Sequence, residues 1–206
     1  MFEKPIICTQ PRKIAAMSLK ERLEFELNPN NEQTPSIVDC QTGRTFEIVE
    51  GKKIIYATEA SFSNFLMEKI KSKTKMSDLF GAIIVDEAHE RTIFTDILLG
   101  ILKQQLEADK NLKLVVTSAT MDIQKMKNFF PKDTPLVQIL GRLFQVDVEY
   151  KGATNESIVY KCIEIALEIH KSKKIDKQSS KKRKIGDILV FLPGYYFFFQ
   201  IHLIKL

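Results

Sequence analysis

With 206 residues, 44% of them hydrophobic and 28% charged, the chain is long and apolar enough to bury a real core, which excludes a disordered or low-complexity class. Its net charge of +5 is unevenly placed: residues 171–184 hold eight Lys/Arg against one Asp, a local +7, so the other residues carry −2 and overall charge is no argument that the folded part binds nucleic acid. Cys8, Cys40 and Cys162 are odd in number and widely spaced, suggesting neither a disulfide framework nor a zinc site; with no leader pattern and no apolar run approaching about 18 residues, an intracellular chain without a membrane span is expected.

Residues 5–9 form a short apolar run expected to be a strand, and Pro11 sits where a helix begins. Ala16, Leu19, Leu23 and Leu27 follow at spacings of three and four, giving that helix one core-facing stripe. Thr9, Gln10 and Arg12 then lie at the strand-to-helix corner, where a hydroxyl, an amide and a guanidinium beside helix N–H groups suit a phosphate; a solvated Arg12 is the alternative. Residues 28–36 are polar, with Pro29 and Pro35, and read as a loop. Residues 37–50 read as short and hairpin-like with Gly51 at a turn, and residues 53–57 as a strand that Thr58 ends. Over residues 59–71, Phe62, Phe65, Leu66 and Ile70 share one helical face, a pattern of core rather than of a base-stacking platform.

The run Ala82, Ile83, Ile84 and Val85 has the length and branching of a buried parallel strand. Asp86 and Glu87 follow at its carboxyl end, the edge where open α/β sheets keep their chemistry. There Asp86 would face a Mg²⁺ bridging nucleotide phosphates and Glu87 the attacking water, the arrangement of a nucleotide hydrolase; an acidic helix N-cap is the alternative on these residues alone. Residues 92–108 follow as a helix with Ile97, Leu98, Ile101, Leu102 and Leu106 mostly inward, and residues 112–117 as another parallel-type strand. Ser118 and Thr120 fall at its carboxyl end, level with Asp86, where hydroxyls could bridge from Asp86 and Glu87 to the sugar-phosphate side or to a second domain, or simply cap a helix over 122–130. After a break at 131–135, residues 136–140 read as a last strand, so the domains are expected at 1–140 and 141–206. The second opens with a strand at 146–150 and a helix at 155–170 and closes on a buried strand at 188–192. Between these, residues 171–184 lack apolar periodicity and read as a solvated, mobile insertion. A nuclear localisation signal, an RNA tether and a plain loop are its three readings, and the first favours nucleus over cytoplasm.

DEAHERT at residues 86–92 resembles motif II of the DEAH-box RNA helicases of superfamily 2. In the order of that family, TQPRKIAA at 9–16 resembles motif Ia, SAT at 118–120 motif III, GRLFQVDVEY from Gly141 the segment between two RecA-like domains, and DILVFLPG at 187–194 the strand that opens motif IV. The resemblance implies an α/β fold with a RecA-like parallel sheet flanked by helices, of the P-loop NTPase type, and the start of a second such domain. It implies an ATP-dependent RNA helicase using ATP and Mg²⁺, with single-stranded RNA held by its backbone and an activating protein as partners. On that resemblance Asp86 and Glu87 hold the metal and nucleotide, and Asp86, Glu87 and His89 are the catalytic set. His89, Arg91, Ser118 and Thr120 couple the site to the second domain, with Arg91 bracing motif II. Thr9, Gln10, Arg12 and Thr58 contact RNA, Thr58 resembling the first residue of motif Ib.

The sequence departs from the family in four places. Ala60 stands where motif Ib has glycine, which impairs any RNA contact that needs a positive φ or a close phosphate approach there. No GxxxxGK[ST] occurs, and Gly51-Lys52-Lys53 lacks both the preceding glycine and the Ser/Thr that would ligate Mg²⁺. The distal arginines of the second domain are not found either. Finally, YYFFFQIHLIKL follows Gly194 where the family has an acidic helical segment. The expectation is a piece of a helicase, inactive alone, or else a noncatalytic RNA-binding or interaction fragment that keeps the fold.

Overall fold

A computed structural model describes residues 3–29, 35–119, 123–131, 133–139, 141, 145–150, 158–175 and 187–191. The chain divides into two compact units, Met1–Gln138 and Ile139–Leu206. The first is built on five strands: β1 (Ile6–Gln10), β2 (Val38–Gln41), β3 (Ile54–Thr58), β4 (Ala82–Val85) and β5 (Leu114–Val116). They form one sheet in the order β2-β3-β1-β4-β5, and every pairing is parallel. Helices α1 (Lys13–Leu27), α2 (Glu59–Lys71), α3 (Met76–Leu79), α4 (Ile93–Ala108) and α5 (Ile123–Phe129) connect or follow the strands. This is the expected fold class, an all-parallel sheet flanked by helices.

One face of the sheet is well covered. Ile7, Ile55, Ala57, Ile83 and Val85 point into a core shared with Phe62, Phe65 and Leu66 of α2 and with Leu98, Leu99 and Leu102 of α4. The phase of α4 differs from the expected one: Leu99 is buried, whereas Ile97 is 47% exposed, because the helix packs against α2 as well as the sheet. On the other face the register aligns Tyr56, Cys8, Ile84 and Val115 in one cross-strand row. Helix α1 covers the β2, β3 and β1 side, and Val115 at the β5 end is 48% exposed. Of the expected α1 stripe, Ala16 is buried, Leu19 and Leu23 are half-buried, and Leu27 is exposed.

The expected hairpin at 37–50 is not formed. Strand β2 runs parallel to β3, with Lys53 and Ile54 N–H groups both donating to the Ile37 carbonyl. Phe46 supplies the reason: its ring lies 4.7 Å from Phe65 and 5.5 Å from Phe62, so burying it carries the connection away from β2 instead of back alongside it. Gly51 takes the turn expected of it, with φ +80°.

Three further expected strands are not assigned. Residues 136–139, 146–150 and 188–191 have no ladder partner among the described residues, and Val137, Val146 and Leu189 are each more than three-quarters exposed at 79%, 78% and 78%. A strand needs a neighbour for its N–H and C=O groups, and apolar content alone does not supply one. In the second unit the described helix is α6 (Ile158–Ile175), with Val159 buried and Tyr160 exposed. It runs into the basic stretch that was expected to begin a loop at 171. Residues 176–184 of that stretch, and the aromatic tail, lie outside the described residues. No helix among the described residues is long and apolar enough to cross a membrane.

The four rings of Phe46, Phe62, Phe65 and Phe80 lie within 6.4 Å of one another, centroid to centroid. Phe62→Ala should therefore lower unfolding free energy by about 3–5 kcal/mol in urea titrations of the chain. A loss below about 1 kcal/mol would show that this cluster does not hold the crossover in place.

Candidate functional site

Three strand ends meet at Asp86. The Asp86 N–H donates to the Thr9 carbonyl at 3.2 Å, and the Thr117 N–H to the Val85 carbonyl at 2.9 Å, so the ladder continues one residue past β4 on both sides. The carboxylate is then held from three directions. Gln10 Nε2 donates to Oδ2 at 2.6 Å, the Glu87 backbone N–H donates to Oδ1 at 3.0 Å, and the Thr117 hydroxyl donates to Oδ1. Oδ2 keeps a lone pair free, and Asp86 is half-buried.

The chain leaves Asp86 through an unusual turn. Glu87 and Arg91 both adopt the left-handed conformation, at φ +54° and +48°, on either side of a 3₁₀ turn over Ala88–Glu90. Such backbone costs on the order of 1 kcal/mol or more per non-glycine residue and persists only where surroundings enforce it. Here the Ala88 N–H donates to the Thr117 carbonyl at 3.0 Å and the Glu90 N–H to the Glu87 carbonyl at 2.9 Å. The conformation turns the Glu87 side chain outward, 46% exposed, beside Asp86. His89 Nδ1 lies 3.3 Å from Glu87 Oε2 and 3.4 Å from the Ala119 N–H. One nitrogen cannot serve both: as an acceptor it takes the Ala119 N–H, and when protonated it pairs with Glu87.

The end of the turn is fixed by a buried carboxylate. Glu59, the first residue of α2, is 2% exposed and accepts from the Thr92 and Thr95 hydroxyls at 2.8 Å each. Thr92 in turn caps α4, accepting from the Thr95 N–H at 3.0 Å. Burial pushes the Glu59 carboxyl above its ordinary range, the two hydroxyls pull it back, and Glu90 and Asp96 push it further up. Beside the site the Cys8 thiol is pushed up to about 11 by burial, then by the Asp86 charge, which disfavours its thiolate.

The expected site residues separate into distinct groups. Asp86, Glu87 and His89 come together at the carboxyl edge. Thr9 and Gln10 are buried at 0% and 2%, with the Thr9 hydroxyl on the Ile84 carbonyl and the Gln10 amide on Asp86, so neither presents a polar group outward to RNA. Arg12 is exposed and paired with Glu90. Thr58 caps α2, accepting from the Ser61 N–H at 3.4 Å. Arg91, directly after the 3₁₀ turn, donates to Asp96 of α4 at 2.6 and 2.9 Å. Ser118 is exposed beyond β5, and Thr120 lies outside the described residues. Thr117, Glu59 and Glu90 were missed by sequence reasoning, although Thr117 directly precedes the SAT triplet and Glu59 directly follows Thr58.

The donor chemistry is that of hard oxygens. Among the described residues no cluster of three or more His, Cys, Asp or Glu could hold a metal. One or two carboxylates with room for other ligands fit Mg²⁺ shared with phosphates and water, and they do not fit a zinc or calcium cage. No protein-family model matches the chain.

A Glu carboxyl held above its unfolded value favours folding below about pH 4.5, and that contribution is lost as pH rises through the folded value. Glu59→Gln cannot titrate. Its melting temperature, compared with wild type between pH 4 and 8, should therefore gain on wild type as the pH rises. A difference that does not change with pH would remove Glu59 from the chain's pH dependence.

Proposed function

We propose that this chain carries the motif II half of an ATP hydrolase coupled to single-stranded RNA, an ATP-dependent RNA helicase of the DEAH-box kind. The observation that supports it best is the outward, left-handed Glu87 beside an Asp86 whose two oxygens are already oriented by Gln10, Thr117 and a backbone N–H. Asp86, with Glu87, would hold Mg²⁺, which when bound neutralises charge on the nucleotide phosphates. Glu87 would accept the proton of the attacking water, and its exposure leaves it free to do so. His89, between Glu87 and the Ala119 N–H, would relate the state of that carboxylate to the segment after β5. Arg12 would take an RNA phosphate, a group its planar fork suits.

The alternative reading is a noncatalytic RNA-binding or interaction module that keeps the fold. Backbone N–H groups and a lysine around the phosphates, and arginines for the transition-state charge, are worth many orders of magnitude in rate together.

The two readings part on one experiment. Residues 1–206 alone should show no ATP turnover above background. Joined in cis to a strand, P-loop and helix and to a second domain bearing the missing arginines, they should hydrolyse ATP, and Glu87→Gln should lower turnover by roughly 10²-fold with ATP affinity little changed. Near-normal turnover in Glu87→Gln would contradict the role of Glu87. An extended chain that binds RNA but never hydrolyses ATP would establish the second reading.

A further inference from the structure

Arg12 is not waiting free for a phosphate. Its Nη2 lies 3.1 Å from Glu90 Oε1 and its Nε donates to Glu90 Oε2 at 3.3 Å, a fork-on-fork pair between the start of α1 and the middle of the 3₁₀ turn. The Arg12 side chain is 73% exposed and that of Glu90 is 26% exposed. Helix α1 begins at this point with no side-chain cap and no acidic residue in its first turn, so the corner stays electropositive. The turn has buried anchors at its two ends: the Asp86 bonds at the start, and Glu59 on Thr92 at the exit. Between the two left-handed residues, Glu87 and Arg91, the turn is held by the Arg12–Glu90 ion pair and by the Ala88 N–H on the Thr117 carbonyl.

We infer that Glu90 occupies Arg12 as an internal stand-in for an RNA phosphate, so that phosphate and Glu90 compete for one guanidinium and RNA binding releases the turn that carries Glu87 and His89. This rests on the reading that Arg12 contacts RNA. The chemistry of exchange is favourable: a carboxylate and an RNA phosphodiester each present two charged oxygens to the same planar fork. The pair to be given up is an exposed one, and such pairs are weak enough to exchange. Once Glu90 is free, the turn keeps its bond from the Ala88 N–H to the Thr117 carbonyl and loses its tie to the start of α1. Glu90 is in this sense a positioning residue: it touches no substrate and acts through Arg12.

The test measures affinity of the 206-residue chain for a labelled single-stranded oligouridylate in wild type, Glu90→Gln, Arg12→Ala and the double variant. All four share residues 171–184, so the background from that basic run cancels. Glu90→Gln should tighten binding about two- to fivefold, the size of an exposed ion pair. Arg12→Ala should weaken it, and adding Glu90→Gln to Arg12→Ala should give no further gain. Hydrogen exchange of amides 88–91 should speed up when RNA is added to wild type and should already be fast in Glu90→Gln. A merely structural Glu90 would leave RNA affinity unchanged or lower it, which would overturn the inference. A gain of equal size in the Arg12→Ala background would overturn it too, as a general charge effect. If Arg12→Ala leaves RNA binding intact, the reading of Arg12 as an RNA contact fails, and the competition fails with it.

Discussion

One half-buried carboxylate, Asp86, ties three strands together where they end. Gln10 reaches it from β1, the Thr117 hydroxyl from the residue after β5, and the Glu87 N–H from the turn it begins. Hydrogen bonds to a charged group are worth about 1.5–3 kcal/mol each, roughly twice a neutral one, so the set is strong enough to fix the local geometry. It keeps Glu87 next to Asp86 and holds the ends of β1, β4 and β5 level. Together with the Ala88 N–H on the Thr117 carbonyl, it holds the start of the left-handed turn.

Beyond Asp86 the turn is held by two carboxylates of different character. Glu59 is buried and faces hydroxyls rather than a cation, an arrangement that costs desolvation free energy yet fixes the start of α4 to the start of α2. Glu90 is partly exposed and paired with an arginine at the corner of β1 and α1. The first contact is built to stay and the second to exchange. Together they place the corners expected to meet RNA within one bonded step of the residues expected to meet nucleotide.

Much of this was readable in the sequence, and the reasons differ by element. The strand before Asp86 is legible because strands of a parallel sheet flanked by helices read as near-continuous apolar runs. The aromatic face of α2 is legible because Phe62, Phe65 and Leu66 follow the helical period. Gln10 is a different case: an amide at a strand end is visible, but its partner lies 76 residues away and is set by β1 lying next to β4. That is why it was expected to face RNA and instead faces Asp86. The hairpin expected at 37–50 failed for the same kind of reason, since the burial of Phe46 is decided by rings on other elements. Apolar runs at 136–140, 146–150 and 188–192 satisfied a pattern whose energetic basis, a paired neighbour, no sequence window contains.

That the Asp86 edge faces a metal and nucleotide can be tested on the 206-residue chain by amide NMR during addition of Mn²⁺ with a non-hydrolysable ATP analogue. A paramagnetic ion replacing Mg²⁺ on the same hard oxygens broadens nearby signals even in a weak complex. Broadening centred on Gln10, Glu87 and Thr117 that disappears in Asp86→Asn is the expected result. Broadening spread evenly over the chain, or unchanged in Asp86→Asn, would show that this carboxylate does not face a nucleotide-bound metal.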